Sequence, residues 1–369
     1  MIFLHYHNNF VLTQTLKTML EYNNFVVQED LKLMTEEQLD WHQFDGKTIL
    51  VTGATGMLAA YISYFLLYLK EERGINLKLL ALCRTKAKAE FTFREFLDKP
   101  YFQLLLQDVC EPIQYDGSID YIFHLAGNAS PHFINTDPVG IVKSNMLGSF
   151  NILGLAKEKK TSKVVFASTR EVYGKNEEEN SLTETSFGAI DPMENRSCYP
   201  ESKRAAETIF RSYFLQYGVN FNALRIAHSY GPGMNLHGDG RVMADLMGNV
   251  VDGKDIELKS TGEALRAFCY ITDAVLGIFY AALKGEPGEA YNLANETEEI
   301  SIRDLAKMLV SLREDADLKV VFNIPETNTG YCNYRRVGLC TDKLEALGWK
   351  PNTNLSSGIK KTLDSFLNR

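Results

Sequence analysis

Short, continuous apolar runs alternate with helical stretches from residue 47 onwards. Runs in which successive residues are apolar are typical of parallel strands that are covered on both faces. The runs lie at 47–53, 77–84, 102–109, 119–127, 163–169 and 220–227, and the helical patterns between them at about 57–70, 138–159 and 199–217. The pattern predicts an α/β protein with a doubly wound parallel sheet that begins near residue 46.

The pattern loosens after Gly231, where shorter strands alternate with helices at about 241–252, 272–284, 301–312 and 355–368. We therefore expect a dinucleotide-binding-type domain over 46–231. A smaller substrate-binding lobe is expected mainly over 232–369, and some of its segments could return to the sheet. Residues 1–45 are polar and show no clear core pattern, so they are predicted to form an N-terminal extension.

Composition narrows the functional classes. The 369 residues carry a formal net charge of −8, which argues against a dedicated nucleic-acid binder. The six cysteines form no C-x-x-C pair and the seven histidines form no H-E-x-x-H motif, so we expect neither disulfides nor a metal site. Scattered cysteines of this kind suit a protein of the reducing cytoplasm, and we predict that location. The N-terminus lacks the basic start of a signal peptide, and no apolar run is long enough to span a membrane.

The segment VTGATGMLA (51–59) joins the first strand to the first helix. Gly53 permits a tight turn, Gly56 lets the backbone approach a pyrophosphate, and Ala59 allows close helix packing. The helix N-terminus then offers free N–H groups to the anion. The candidate pyrophosphate contacts are Gly53, Thr55, Gly56, Met57 and Leu58.

The identity of the dinucleotide depends on the tip of the second strand. An acidic residue at this point binds the ribose 2′-hydroxyl of NAD, whereas an arginine accommodates the 2′-phosphate of NADP. This chain has Arg84 there and no acid. Both cofactors remain open on this evidence, and Asp108 and Val109, at the end of the third strand, are candidate adenine contacts.

A series of motifs follows in a fixed order. They are TGATGMLA, DVCEP (108–112), HLAGNASP (124–131), STREVYG (168–174), YPESK (199–203), RIAHSYGP (225–232), GDGRV (238–242) and LRAFCYITD (265–273). From Lys47 to Leu367 the chain resembles the extended short-chain dehydrogenase/reductase family of nucleotide-sugar epimerases, dehydratases and decarboxylases. Its motifs look most like those of UDP-glucuronate decarboxylases.

This resemblance implies a Rossmann fold, a bound nicotinamide cofactor (NAD, with NADP possible) and a nucleotide-sugar substrate. It adds Leu125, Ala126 and Gly127 to the candidate cofactor contacts. It also implies a homodimer formed through the helices at about 139–158 and 199–217, with no membrane or nucleic-acid partner.

The resemblance places the catalytic Ser/Thr, Tyr and Lys on Thr169, Tyr199 and Lys203. Thr169 ends a strand, and Tyr199 and Lys203 lie one helical turn apart. We expect the Lys203 ammonium to lower the pKa of Tyr199 so that a tyrosinate can take the proton of a sugar hydroxyl. Tyr199 and Lys203 would also contact the cofactor.

The reaction depends on the residues after Thr169. Oxidation at the sugar C4 gives a 4-keto intermediate, from which epimerisation, dehydration or decarboxylation can follow. The dehydratases of this family carry Thr-Asp-Glu, whereas this chain carries Thr169-Arg170-Glu171. Because an arginine stays protonated, it cannot supply the acid that expels water. Glu171 remains a candidate base at C5 or a residue that orients the substrate.

The remaining candidates for substrate contacts are Ser130, Arg170, His228, Arg241 and Arg266. Arg241 and Arg266 match phosphate-binding arginines of the family, and a planar guanidinium suits bidentate anion recognition. Arg266 also matches a decarboxylase position near the reacting sugar. His228 replaces the asparagine that is common in the family, and Arg170 would meet an anion or solvent.

Three functions remain open. The first is a decarboxylase- or epimerase-like enzyme that oxidises and re-reduces a nucleotide sugar with a retained cofactor. The second is a net NADPH-dependent reductase of a nucleotide-linked keto sugar, which Arg84 would favour. The third is a non-catalytic NAD(P)-binding protein, against which the intact Thr169, Tyr199 and Lys203 argue.

Overall fold

The centre of the molecule is a seven-stranded sheet in which every neighbouring pair of strands is parallel. The computed structural model describes residues 19–176, 179–324 and 337–368. The strands are β1 (Thr48–Thr52), β2 (Lys78–Cys83), β3 (Phe102–Leu106), β4 (Tyr121–His124), β5 (Lys163–Thr169), β7 (Phe221–Ile226) and β12 (Glu289–Leu293). Their order in the sheet is β12-β7-β5-β4-β1-β2-β3.

Helices cover both faces of this sheet, because successive strand residues are buried in two different clusters. Ile49 and Val51 of β1 belong to one cluster and Leu50 to the other. The first face carries α2 (Met57–Glu72) and α8 (Ile271–Lys284), and the second carries α5 (Pro138–Lys159) and α6 (Cys198–Tyr217). The predicted doubly wound α/β class is confirmed.

The other elements connect or extend this sandwich. The remaining helices are α1 (Phe25–Met34), α3 (Lys86–Thr92), α4 (Pro131–Thr136), α7 (Val242–Val251), α9 (Ile302–Ser311), α10 (Asp342–Glu345) and α11 (Leu355–Leu367). Four two-stranded pairs join β6 (Ser181–Leu182) with β15 (Gly338–Leu339), β8 (Ser229–Tyr230) with β11 (Cys269–Tyr270), β9 (Ile256–Leu258) with β14 (Val320–Phe322), and β10 (Leu265–Ala267) with β13 (Glu299–Ser301). The part of the chain after Gly231 also contributes to the central sheet, because β12 pairs with β7 and forms one edge.

Residues 19–45, here called the N-terminal segment, pack into the core, which differs from the expected lack of a core pattern in 1–45. Val27 and Leu31 of α1 are fully buried, and Trp41 packs edge-on against Phe65 and Phe279. The apolar positions of α1 face one side of a helix of only ten residues, too short for the periodicity to stand out from its polar neighbours. Residues 1–18 of the predicted extension lie outside the described residues.

Among the described helices, α5 is the one that is long and apolar enough to cross a membrane by length and composition. It packs against α6 and buries Ile152 and Leu153 in the cluster on the second face of the sheet. A core helix of a globular protein meets the same criteria.

Candidate active site

A cavity of about 2300 Å³ opens at the carboxyl ends of the parallel strands, where such sheets bind their ligands. Every residue predicted above for catalysis, cofactor binding or substrate binding lines it. Within the described residues, no group of His, Cys, Asp and Glu side chains is arranged to hold a metal ion.

The glycine turn after β1 forms one wall of the cavity. Gly53 has φ of +65°, and a Cβ there would lie 2.8 Å from the Cα of Ala126, so only glycine fits. Gly56 precedes α2 without a side-chain cap, which leaves the N–H groups of the first helical turn unpaired by a capping side chain. A close backbone turn in front of a helix N-terminus fits the pyrophosphate of a dinucleotide.

Thr52 and His124 join the ends of β1 and β4 beneath this turn. The Thr52 hydroxyl oxygen lies 2.8 Å from His124 Nδ1 and accepts hydrogen bonds from the backbone N–H groups of Leu125 and Ala126 at 3.2 and 3.1 Å. These bonds place Leu125, Ala126 and Gly127 along the cavity. Burial, together with the nearby charge of Lys203, lowers the pKa of His124 to about 3.

We expect His124 to make the protein less stable in mild acid. The imidazole titrates near pH 6.5 in the unfolded chain but near pH 3 in the folded one, so the unfolded state binds more protons as the pH falls through 6.5. Between pH 7.5 and 5.5 this group should remove about 1.4 kcal/mol of the free energy of unfolding. Urea denaturation of the wild type and of His124→Asn at both pH values measures the difference.

The matched control is His42→Asn, which removes an exposed imidazole. His42→Asn should keep the pH dependence of the wild type, whereas His124→Asn should reduce it. Equal pH dependence in the wild type and His124→Asn would show that His124 is not buried as the neutral imidazole.

Arg84 and Asp108 lie at the tips of β2 and β3. The guanidinium of Arg84 is 3.5 Å from the carboxylate of Asp108, and its side chain is 63% exposed. Val109 is buried, and its carbonyl accepts a hydrogen bond from Asn151 at 2.9 Å. The arginine at the tip of the second strand is therefore paired with an acid on the neighbouring strand.

Thr169, Tyr199 and Lys203 are all buried at the cavity wall. Thr169 ends β5, and its hydroxyl caps the next turn by accepting the N–H of Glu171 at 3.2 Å. Tyr199, in the first turn of α6, packs against Ile134 of α4. The Lys203 ammonium donates to the carbonyl of Ala167 at 2.7 Å. 

The expected lowering of the Tyr199 pKa by Lys203 is wrong for this arrangement. Burial, and then the negative charge of Glu171, raises the pKa of Tyr199 to about 12, although Thr169, Arg241 and Arg196 act in the opposite direction. Burial also lowers the pKa of Lys203 to about 7. A lysine that is partly neutral at pH 7 stabilises a tyrosinate less than an ammonium does, so the arginines supply the favourable charge.

Glu171 and Arg170 point to different partners. The carboxylate of Glu171 forms an ion pair with Arg196, with 2.6 Å between Oε1 and Nη2. Arg170 donates to the carbonyl of Val337 at 2.8 Å, in the segment leading to β15. Glu171 is thus held beside Tyr199, and Arg170 fastens the C-terminal part of the chain to the cavity.

The loop before α7 closes one side of the part of the cavity where the predicted substrate contacts lie, here called the substrate half. Arg241 forms a bidentate ion pair with the buried carboxylate of Asp239, with 2.9 Å between Nη2 and Oδ2. Ser130, which caps α4, donates its hydroxyl to the carbonyl of Asp239 at 2.7 Å. Asp239 therefore holds Arg241 through its side-chain carboxylate and Ser130 through its backbone carbonyl.

His228, which precedes β8, and Arg266, on β10, line the same half of the cavity. His228 adopts a left-handed backbone with φ of +33°, and its ring lies 5.9 Å from that of Phe268. Arg266 donates to the carbonyl of Leu265 at 2.7 Å. Asparagine tolerates left-handed φ better than most residues, so histidine here retains a conformation that suits asparagine.

Sequence reasoning missed several residues that the fold brings to the site. Arg196 forms an ion pair with Glu171. Glu207 forms an ion pair with Arg225 at 2.8 Å, and its negative charge opposes the lowering of the Lys203 pKa by burial. Asn145 is buried behind Gly127, and its amide nitrogen donates to Ser202 at 2.8 Å. The basic residue three positions before Tyr199 was a usable signal for Arg196, whereas nothing local distinguishes Asn145.

Comparisons with known proteins agree with this geometry. The model of the NAD dependent epimerase/dehydratase family matches residues 49–294. The chain is 31% identical over 319 residues to a UDP-glucuronic acid decarboxylase of Arabidopsis thaliana, which covers 86% of this chain and 88% of that protein.

Two solved structures show the same fold. One is a UDP-glucose 4-epimerase from Thermotoga maritima, with a TM-score of 0.73 and 24% identity over 87% of this chain and 99% of that one. The other is a dTDP-glucose 4,6-dehydratase from Streptomyces venezuelae with bound NAD, with a TM-score of 0.72 and 23% identity over 87% of this chain and 97% of that one.

Proposed function

Because the chain belongs to the NAD dependent epimerase/dehydratase family, we propose that it decarboxylates a UDP-linked uronic acid through a 4-keto intermediate. The observation that carries the proposal is the position of Thr169, Tyr199 and Lys203 in the same cavity as the glycine turn. The similar decarboxylase supports UDP-glucuronate as the first candidate substrate.

In this mechanism Tyr199 takes the proton of the sugar C4 hydroxyl, and Thr169 hydrogen-bonds the same oxygen. The chemistry that NAD supplies when bound is the acceptance of a hydride from C4 and its return to C4 after carbon dioxide has left, so that the product differs from the substrate only by the loss of carbon dioxide. Arg196 and Arg241 favour the tyrosinate that the proton transfer needs. Gly53, Gly56 and the first turn of α2 would hold the pyrophosphate of the cofactor.

Loss of carbon dioxide follows from the ketone at C4. The bond between C5 and the carboxylate breaks, and its electron pair moves towards the C4 oxygen to give an enolate, which is then protonated at C5. Arg266 is the candidate partner of the substrate carboxylate, and Glu171 orients the sugar or moves the proton. The Thr169-Arg170-Glu171 segment disfavours dehydration, because an arginine cannot donate the required proton.

NAD fits the tip of β2 better than NADP. The carboxylate of Asp108 lies 3.5 Å from the Arg84 guanidinium. A 2′-phosphate near Arg84 would therefore meet a partly neutralised charge and a repelling carboxylate. This pairing weakens the case for a net NADPH-dependent reductase.

A mass-spectrometric screen of the purified protein with UDP-, CDP-, GDP- and dTDP-sugars tests the function. We expect UDP-glucuronate to lose carbon dioxide. Loss of water would indicate dehydration and a gain of two hydrogens would indicate reduction. An unchanged mass with every sugar would indicate isomerisation, which NMR detects, or no reaction. Each of these results would contradict decarboxylation.

We infer that the enzyme is a homodimer that associates through α5 and α6. These two helices pack side by side, and their outer faces leave large apolar side chains exposed. These are Val139, Leu147, Phe150, Leu215 and Tyr217. Covering this apolar surface with a second copy would remove it from water.

Phe150→Glu should convert the dimer to a monomer, because it places a charge in the middle of the apolar surface. Sedimentation velocity measures the change. The control is Leu33→Glu, at an exposed apolar position of α1, which should leave the sedimentation coefficient unchanged. A wild-type monomer at micromolar concentration would refute the inference.

The five cysteines that the structure describes are unpaired. Free thiols suit a reducing compartment. This supports a cytoplasmic location for the proposed reaction.

A further inference from the structure

The N-terminal segment contains a buried charge in a part of the chain that precedes the matched family region. The family model begins at residue 49, whereas Asp30 lies on α1 and is 1% exposed. A carboxylate that is taken out of water destabilises the fold unless it is paired and hydrogen-bonded. Its partners therefore indicate what this segment holds in place.

Three donors from three different elements meet the Asp30 carboxylate. The phenol of Tyr61 on α2 donates at 3.0 Å and that of Tyr270 at the end of β11 at 2.6 Å, both to Oδ2. The ammonium of Lys361 on α11 lies 2.8 Å from Oδ1. Through Tyr61, Asp30 is thus bonded to α2, the helix that follows the glycine turn. Through Tyr270, it is bonded to β11, next to the substrate half of the cavity.

Tyr270 connects directly to the strands that reach the cavity. β11 pairs with β8, with Tyr270 opposite Tyr230, and the N–H of Cys269 donates to the carbonyl of His228 at 3.2 Å. His228 precedes β8 and Phe268 precedes β11, and both line the cavity. A displacement of Tyr270 would therefore be transmitted within two residues to the cavity wall.

The start of the N-terminal segment reaches the cavity as well. Met19 is one of its lining residues. The neighbouring Leu20 is buried, and a Cβ added to Gly233 would lie only 3.0 Å from the Cβ of Leu20. Leu20 is thus packed against the loop that follows β8.

We propose that the N-terminal segment is a built-in support of the substrate half of the site. Asp30 is a positioning residue that, through Tyr270, holds the β8–β11 pair and so orients His228 and Phe268 towards the nucleotide sugar. This inference rests on the proposed function for the identity of the ligand. It concerns substrate affinity rather than bond making.

Tyr270→Phe and Tyr61→Phe form a matched pair of variants. Each removes one buried hydroxyl that donates to the same oxygen of Asp30, but Tyr270 alone belongs to β11. With UDP-glucuronate, Tyr270→Phe should raise KM about fivefold with kcat within twofold of the wild type. Tyr61→Phe should leave KM unchanged.

Hydrogen–deuterium exchange without added sugar gives a second readout. Tyr270→Phe should increase exchange in residues 228–240, and Tyr61→Phe should not. Equal effects of the two variants on both KM and exchange would overturn the inference. If the wild type does not turn over UDP-glucuronate, the proposed function fails while the exchange experiment still decides whether Asp30 supports this wall.

Discussion

Tyr199→Phe should reduce kcat for UDP-glucuronate by about a thousandfold, because it removes the phenol oxygen that we propose as the acceptor of the C4 proton. The phenyl ring keeps the packing against Ile134 and Ile141. We therefore expect the variant to fold and to retain bound NAD, which absorbance after denaturation measures. The loss should appear in kcat, with KM changed by less than about threefold.

Tyr213→Phe is the control, since Tyr213 is on the same helix but is not among the residues that line the cavity. Its kcat should equal that of the wild type. Turnover by Tyr199→Phe within tenfold of the wild type would refute the proposed proton transfer. A loss of NAD in Tyr199→Phe would instead assign the residue to cofactor binding.

Glu171→Gln should reduce kcat by about a hundredfold, because the amide has the shape of the carboxylate but neither its charge nor its basicity. It should also move the acidic limb of the pH–rate profile to lower pH. Glu171 raises the pKa of Tyr199, so without its charge the tyrosinate forms at a lower pH. Because the limb extends towards the Tyr199 pKa of about 12, steady-state kinetics from pH 6 to the highest pH at which the enzyme stays folded measure both effects.

Arg196→Gln is the informative comparison. Arg196 favours the tyrosinate, so its removal should move the same limb to higher pH, opposite to Glu171→Gln. Shifts in the same direction for both variants would show that the Glu171–Arg196 pair does not act on Tyr199 through its charge. An unchanged kcat in Glu171→Gln would remove Glu171 from the reaction.

Local patterns in the sequence were sufficient for the sheet and for the position of the site. A run of successive apolar residues predicted β5 at 163–169, and a helical pattern predicted a helix at about 138–159; the structure has the strand at 163–169 and the helix at 138–159. The glycine turn was predictable because its requirements lie within nine residues. Strand ends were equally readable, since parallel strands present their carboxyl ends, and therefore Thr169, at one edge.

Partners that are distant in the chain were not predictable. Glu171 meets Arg196 across 25 residues, and Asp30 meets Tyr270 across 240. Periodicity shows which face of an element is buried, but not which side chain lies opposite. The short helix α1 was missed for this reason, because its apolar face has meaning only against the surfaces of α2, α8 and α11.

The sequence by itself therefore determined the fold class, and it was sufficient to name the glycine turn and the side chains that we propose as the reactive set. The tertiary structure alone decided their electrostatics. Tyr199 and Lys203 are one helical turn apart in either description, but burial raises the pKa of the phenol and lowers that of the ammonium. A pKa depends on desolvation and on every nearby charge, and both are properties of the folded chain.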